Sequence, residues 1–174
     1  IAITDHSKGL GIAGGMSIGQ ILEQNKKIKS LNKRLKNFKL LSGVEIDIRS
    51  NGKLDYPDEV LKKLDIVVAS IHSGFRQSRE LLTKRLVSAM KNPYVSIIAH
   101  PTGRLIGERE AYKIDMDEFL KTAKETGSAV EINAYPMRLD LSDIYIKKAK
   151  EMGIRLAVST DAHIVSQFDF MRYG

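Results

Sequence analysis

The residues best suited to chemistry in this chain of 174 residues are its four histidines and two of its carboxylates. Each histidine comes at or just beyond the end of a short apolar, β-branched run: His6 after IAIT, His72 after VVASI, His100 after VSIIA and His163 after LAVSTDA. Glu45 takes the matching place in GVEID, and Asp161 precedes His163 by two residues. Parallel α/β proteins gather their functional groups at the carboxyl ends of their strands. We therefore expect these side chains to lie close together at the carboxyl ends of the strands.

The residue types point to a centre for divalent metal ions. Imidazole and carboxylate groups suit zinc, manganese and iron, and one carboxylate can bridge two ions. The chain has no cysteine, which excludes disulfides, a thiolate nucleophile and cysteine-based zinc sites. The predicted ligands are His6, Glu45, His72, His100, Asp161 and His163.

On extended backbone the side chains of successive residues point to opposite faces, which indicates which neighbours could share a metal with these ligands. Asp161 and His163 are two residues apart, so both side chains would point the same way and could grip one metal cluster. Asp5 and His6 are adjacent and would point in opposite directions. We choose His6 as the ligand and predict that Asp5 orients a histidine.

Two further strands carry polar residues on the same face. Asp47 shares a face with Glu45, and we expect it to support a ligand or anchor a loop. Glu131 and Asn133 share a face on a later strand, where Asn133 either contacts substrate or makes structural hydrogen bonds.

Three arginines follow predicted strand ends: Arg76 in SGFR, Arg104 in HPTGR and Arg138 in YPMR. A guanidinium group matches two phosphate oxygens at once, so these residues are candidate phosphate contacts. The chain has no Gly-x-Ser-x-Gly motif and no cysteine, which leaves covalent catalysis with little support. We expect hydrolysis by a metal-activated water, with no catalytic side chain beyond it.

The elements that must position these residues alternate along the chain. Apolar runs predict six strands, at residues 1–4, 39–48, 65–71, 95–99, 129–133 and 155–159. Helical patterns fall between them, the first capped by Ser17 and the others at 57–64, 77–91, 115–126 and 142–152. The first helix has an apolar stripe of Ile18, Ile21, Leu22, Ile28, Leu31 and Leu35. Strands that are apolar on both faces and separated by helices indicate parallel βαβ units, so the predicted class is α/β.

Composition narrows the class of protein. Hydrophobic residues make up 43% and charged residues 28% of the chain, values typical of a globular protein and not of a disordered one. No apolar run reaches membrane-spanning length and no signal-peptide pattern is present, which favours a cytoplasmic protein without a membrane partner. The net charge of +7 suits a polyanionic partner, although a basic protein without one fits equally. The lysine-rich stretch SLNKRLKNFK (30–39) is interpreted as a solvated helix face, with nucleic-acid binding as the alternative.

A glycine pattern offers a rival interpretation. Gly9, Gly11 and Gly14 have the G-x-G-x-x-G spacing after a strand, with Glu45 on the next strand, as in dinucleotide-binding folds. Four residues separate the strand from the first glycine, and Glu45 comes later than the usual spacing of about twenty residues. We therefore interpret this segment as a loop.

Six stretches together resemble one family: ITDH, GVEID, ASIHSGFRQ, IAHPTGR, EINAYPMRLDLSD and VSTDAHIVSQFDFMRYG. They resemble the PHP (polymerase and histidinol phosphatase) domain, in the version found at the carboxyl end of bacterial-type X-family DNA polymerases. The resemblance implies a distorted (β/α)7-type barrel that holds up to three divalent metals. It suggests Glu45 as the bridging carboxylate, His72 and His100 on one metal, Asp161 with Glu45 on a second, and His6 with His163 on the third.

The resemblance also implies partners and activity. In such polymerases the domain is associated with a manganese-dependent phosphodiesterase that trims DNA 3' ends, so DNA and polymerase domains on the amino-terminal side are the implied partners. A histidinol-phosphatase-like phosphomonoesterase and a non-catalytic scaffold are the alternatives. HPTGR, RLDLSD and QFDFMRYG resemble the polymerase-associated branch.

One departure from the family concerns its first strand, which carries a His-x-His pair that this sequence lacks. We interpret residues 1–174 as a single PHP domain without that strand, with about six parallel strands and helices outside. The metal position shared by Glu45 and Asp161 would then lack ligands and be empty. Strands 1–4 and 155–159 would expose edges open to pairing with another chain.

Overall fold

A computed structural model describes residues 1–9 and 14–174 of the chain. Its sheet has six parallel strands in sequence order. The strands are β1 (Ala2–Ile3), β2 (Leu41–Asp47), β3 (Ile66–Ser70), β4 (Ile97–Ile98), β5 (Ala129–Asn133) and β6 (Leu156–Ser159). The helices are α1 (Ile18–Asn32), α2 (Asp58–Leu61), α3 (Arg79–Met90), α4 (Met116–Thr126) and α5 (Asp143–Glu151), followed by a 3-10 helix, Val165–Tyr173.

The strands curl into a half-barrel with the helices around it, which is a distorted α/β barrel arrangement. This confirms the predicted fold class. Within the residues described, β1 and β6 form the two edges of the sheet and do not pair with each other. Pairing of either edge with another chain stays a prediction.

The burial of the strands explains why the alternation of elements could be read from sequence. Six of the seven residues of β2 are buried, as are most residues of β3, because helices cover one face of the sheet and the barrel interior the other. The core packs Phe119 and Leu120 of α4 and Leu86 of α3 against Ile98 of β4, all almost fully buried. Burial of this apolar area is the main force that holds the half-barrel together.

Local signals fix several helix ends. Ser17 caps α1 in a reciprocal capping box with Gln20, as the sequence predicts. Asp115 caps α4, and Gly127 ends it with a φ of 73°, a left-handed conformation that glycine adopts without strain. No helix in the described part of the chain has the length and apolar character needed to cross a membrane.

The apolar stripe of α1 is narrower than predicted. Ile21 and Ile28 are buried, but Ile18 and Leu31 are 39% and 41% exposed. The helix therefore meets the sheet along one row of side chains and leaves the flanking positions in solvent. The terminal 3-10 helix was not predicted, and none of its residues is buried.

Candidate metal centre

Glu45, near the carboxyl end of β2, touches three imidazoles. Its Oε1 lies 2.9 Å from Nε2 of His100 and 3.2 Å from Nε2 of His72, and its Oε2 lies 3.3 Å from Nδ1 of His6. The carboxylate and His100 are buried, with 8% and 2% of their surface exposed. Four of the six predicted ligands therefore meet in one place.

Backbone pairing brings these groups together. The segment after β1 continues beside β2, because the amide of Glu45 donates to the carbonyl of Asp5 and the amide of Ser7 donates to the carbonyl of Glu45. This pairing sets His6 directly beside Glu45. His72 and His100 follow the next two strands, and the backbone at His100 has a φ of 28°, in the left-handed region.

Buried carboxylates behind the ligands hold two of the histidines. Oδ1 of Asp47 accepts a hydrogen bond from the backbone amide of His72 at 3.2 Å and lies 3.4 Å from the Nδ1 atom of the same residue. Glu131 of β5 accepts a hydrogen bond from the backbone amide of His100. Such outer carboxylates fix the orientation of ligand side chains. These contacts agree with the supporting role expected for Asp47, which stays a prediction because it depends on His72 binding a metal.

Burial and mutual contact shift the pKa values of the clustered groups. Burial alone would raise the pKa of Glu45, but hydrogen bonds with His100 and His72 outweigh it and hold that pKa well below its usual range. Burial would lower the pKa of His72, but its bonds to Asp47 and Glu45 raise it to about 9. Burial lowers the pKa of His6, more strongly than Glu45 raises it. An ionised Glu45 thus contacts three imidazoles in a buried setting.

The donor set fits a divalent metal ion. Ligand atoms of His6, Glu45 and His72 all lie within 4.8 Å of one another, close enough to share one ion. Nδ1 of His100 is buried and has no hydrogen-bond partner within the described residues, and Nδ1 of His6 has only its 3.3 Å contact with Glu45, which lacks hydrogen-bond geometry. Two or three imidazoles with a carboxylate are a coordination set that zinc, manganese or iron accepts.

Comparison with known proteins places this cluster in a family. The chain is 48% identical, over all of its 174 residues, to "DNA polymerase/3'-5' exonuclease PolX" of Bacillus subtilis, and it spans 30% of that protein's length. It is 39% identical over 182 aligned residues to a "probable phosphatase" of Caldanaerobacter subterraneus, with 97% of this chain and 67% of the relative covered. The chain belongs to the PHP domain family.

A second "probable phosphatase", from Thermoanaerobacter sp. strain X514, is 40% identical over 156 residues, which cover 84% of this PHP domain and 60% of the relative. No family model matches the sequence. Membership in the PHP family therefore rests on these relatives.

Asp161 and His163 lie beside the cluster of this PHP domain. Oδ2 of Asp161 accepts hydrogen bonds from Asn133 at 3.1 Å and from Nε of Arg138 at 3.0 Å. The ring of His163 is centred 6.0 Å from that of His6, and its side chain is 63% exposed. The two residues do not lie on extended backbone, because Asp161 has a φ of 51°. The reasoning from alternation was wrong here, and a shared role of this pair as ligands stays a prediction.

Asp5 has a partner outside the centre. Its carboxylate accepts a hydrogen bond from Gln24 of α1 at 2.6 Å. In the described part of the chain it forms no hydrogen bond with a histidine. The carboxylate that contacts a histidine of the cluster from behind is Asp47 instead.

The candidate phosphate contacts have different surroundings. Arg76 is exposed on the loop after β3 and makes no hydrogen bond or ion pair with any described residue. Arg104 donates to the backbone carbonyls of Arg138 and Leu139, so its guanidinium ties two loops together. Arg138 pairs with Asp161.

Asn133 is fully buried. Its amide donates to Glu131 and Asp161, and its side-chain oxygen accepts from the amide of Tyr135. Asn133 therefore makes structural hydrogen bonds, and contact of this residue with substrate stays a prediction.

A cavity of about 230 Å³ opens beside Asp161 and His163. It is lined by Leu105, Tyr135, Arg138, Asp161, His163 and Gln167. The side-chain oxygen of Gln167 accepts a hydrogen bond from the amide of His163 at 2.6 Å. Sequence reasoning missed Gln167, since its only signal is a position four residues after His163 on an unpredicted 3-10 helix.

Two described residues of the glycine pattern, Gly9 and Glu45, have partners other than those of a dinucleotide site. Gly11 lies outside the described residues. The amide of Gly9 donates to the side chain of Asp55, and Glu45 is engaged with three histidines instead of being free for a ribose.

Proposed function

We propose that this PHP domain is a metal-dependent phosphoesterase that hydrolyses phosphodiester bonds at DNA 3' ends. The observation that supports it most directly is the contact of Glu45 with His6, His72 and His100 at the carboxyl ends of the strands. Burying charged groups is costly unless they are paired or hold a metal ion, and one carboxylate shared by three imidazoles is a donor set suited to a metal ion.

In the proposed reaction, side chains of this domain hold the metal ions, orient the metal ligands and contact the phosphate. Glu45 and the three histidines would hold divalent cations, which when bound activate water and offset the negative charge of a phosphate. Asp47 and Glu131 keep His72 and His100 in position. Arg76, free on its loop, would grip non-bridging phosphate oxygens in two-point geometry.

The preference for DNA rests on the B. subtilis relative, whose name includes a 3'-5' exonuclease and which is similar along the whole of this chain. The chain spans 30% of that protein, so we propose that it works as a module beside polymerase domains. Manganese is the proposed activating ion, with zinc and iron as the other ions that this donor set suits.

A phosphomonoesterase is the second candidate. The chain spans a larger share of the Caldanaerobacter relative, 67%, and that protein is named a probable phosphatase. A phosphomonoester needs only the metal centre and the cavity next to it, whereas a DNA strand must also leave the site along the protein surface.

The two candidates are separated by assaying one preparation with two substrates. The metal-stripped protein is supplied with manganese, zinc or iron and offered a 5'-labelled oligonucleotide or p-nitrophenyl phosphate. Stepwise shortening of the oligonucleotide, absent in Glu45→Gln, supports the proposal. Hydrolysis of p-nitrophenyl phosphate alone favours the phosphomonoesterase. No hydrolysis of either substrate with any of the ions would leave a scaffold role and overturn both.

A further inference from the structure

The formal net charge of the chain is concentrated in one stretch, residues 24–44. This stretch contains seven basic residues and no acidic one. Without these seven, the 28 basic residues of the chain fall to 21, which equals its number of acidic residues. The rest of the protein is therefore formally neutral. The seven residues, called the basic surface below, are Lys26, Lys27, Lys29, Lys33, Arg34, Lys36 and Lys39.

The basic surface forms one continuous region. Asn32, at the end of α1, donates to the carbonyl of Leu40 at 2.7 Å and accepts from its amide at 2.9 Å. These two bonds close residues 33–39 into a loop that folds back against the helix end. Hydrogen bonds from Ser42 lower the pKa of Asp65, and the nearby charges of Lys39 and Lys29 contribute to that shift. Lys29 of the helix and Lys39 of the loop thus lie near the same carboxylate.

Ion pairs and the helix dipole explain the presence of few of these seven basic residues. All seven side chains are exposed, and none forms an ion pair of salt-bridge length with a described residue. A cation in the last turn of a helix is stabilised by the helix dipole, but that effect falls off within one turn and applies here to Lys29. Apart from the attraction of Lys29 and Lys39 to Asp65, the described residues offer these cations no compensating charge at salt-bridge distance.

The type of partner follows from the apolar residues. Ile21 and Ile28, the apolar row of α1, are buried in the core of the protein. The exposed Ile18 and Leu31 lie at opposite ends of the helix, so it has no continuous apolar face to insert into a bilayer. Phe38 is 47% exposed amid the basic residues of the loop. Cations that track a phosphate backbone, with an exposed aromatic ring on which bases stack, are typical of nucleic-acid binding.

We propose that the basic surface binds the phosphate backbone of nucleic acid at a place separate from the metal centre. Helix α1 begins next to the candidate metal centre, where the amide of Met16 donates to the carbonyl of His6, and it runs for 15 residues. At 1.5 Å per residue, its far end is about 22 Å from its start. Binding at this surface needs no metal and does not depend on the proposed hydrolytic activity.

The test measures binding of fluorescently labelled DNA, single-stranded and duplex, in EDTA and over a series of salt concentrations. The variant K33Q/R34Q/K36Q/K39Q removes four charges from the basic surface. The control K84Q/K124Q/K147Q/K150Q removes four exposed lysines elsewhere, none of which forms an ion pair within the described residues. Far-ultraviolet circular dichroism and thermal melting establish that both variants are folded.

We expect the first variant to bind DNA more weakly and to flatten the slope of log K against log salt by about 3, because each lost phosphate contact removes about 0.7 to 0.9 from the slope. The control variant should keep nearly the wild-type slope. The affinities for single-stranded and duplex DNA show which of the two forms the basic surface binds better. Equal losses in both variants would mean that net charge alone matters and would overturn the proposal. Binding to anionic phosphatidylserine vesicles without binding to DNA would overturn it as well.

Discussion

The Nε2 atom of His100 lies 2.9 Å from the Oε1 atom of Glu45, although 55 residues separate them in sequence. The two residues belong to β2 and to the end of β4, and β3 runs between those strands. Next-nearest strands of a sheet are about 10 Å apart, and inward curling of the sheet at its carboxyl edge brings their side chains closer. The contact therefore agrees with the barrel curvature, and with the contacts to His6 and His72 it makes Glu45 the central residue of the candidate metal centre.

The first prediction concerns Glu45 itself. Glu45→Gln keeps the shape of the side chain but removes the charge that three imidazoles contact, so metal affinity should fall by at least about 100-fold. Equilibrium dialysis against manganese or zinc, followed by elemental analysis, measures the loss. Glu23→Gln, at an exposed position of α1, is the matched control and should bind metal normally. Normal metal binding by the Glu45 variant would refute the assignment of the centre.

The second prediction concerns the support of His72. Asp47→Asn retains an oxygen that can accept from the amide of His72 but removes the negative charge beside its ring. We expect metal affinity to fall by about 10- to 100-fold with little change in melting temperature. Competition with a chromogenic chelator gives the dissociation constant. The exposed Glu59→Gln serves as the control, and equal affinities in both variants would show that Asp47 does not support the site.

The strand ends were predictable because sequence and topology carry the same information there. Buried parallel strands appear as apolar runs in the sequence, and the polar residue that ends each run must lie at the shared carboxyl edge of the sheet. His6, Glu45, His72 and His100 follow this rule, so single-sequence reasoning brought them together correctly.

The parts that were not predictable depend on loop conformation and on long-range bonds. The left-handed backbone at Asp161 leaves no pattern in the sequence, so the alternation rule failed there. Arg104 looks like a phosphate ligand in HPTGR, yet carbonyl groups more than 30 residues away occupy its guanidinium. Residue type alone could not distinguish it from Arg76.

The third prediction uses that difference between the two arginines. Arg76→Gln should lower kcat/KM for a phosphate ester by about 10-fold or more with little effect on folding, because Arg76 has no partner among the described residues. Arg104→Gln should instead destabilise the fold by about 1 to 3 kcal/mol, since it leaves two loop carbonyls without their donor. Steady-state kinetics and urea denaturation of each variant separate the two effects. A destabilised Arg76 variant with normal kinetics would contradict this distinction.

The last prediction concerns Asp55, which anchors the loop that follows His6. Burial would raise its pKa, but hydrogen bonds from Arg49, Ser7 and the amide of Gly9 outweigh that effect and lower it. Because the pKa is lower in the folded state, the ionised group stabilises the protein above its unfolded pKa of about 3.9, and this contribution fades as the pH falls further. Asp55→Asn should therefore cost about 1 to 3 kcal/mol of unfolding free energy near neutral pH and progressively less below about pH 4. Urea denaturation from neutral to acidic pH measures the difference, with the exposed Asp169→Asn as control. A difference between wild type and variant that stays constant with pH would show that the carboxylate charge plays no part in holding this loop.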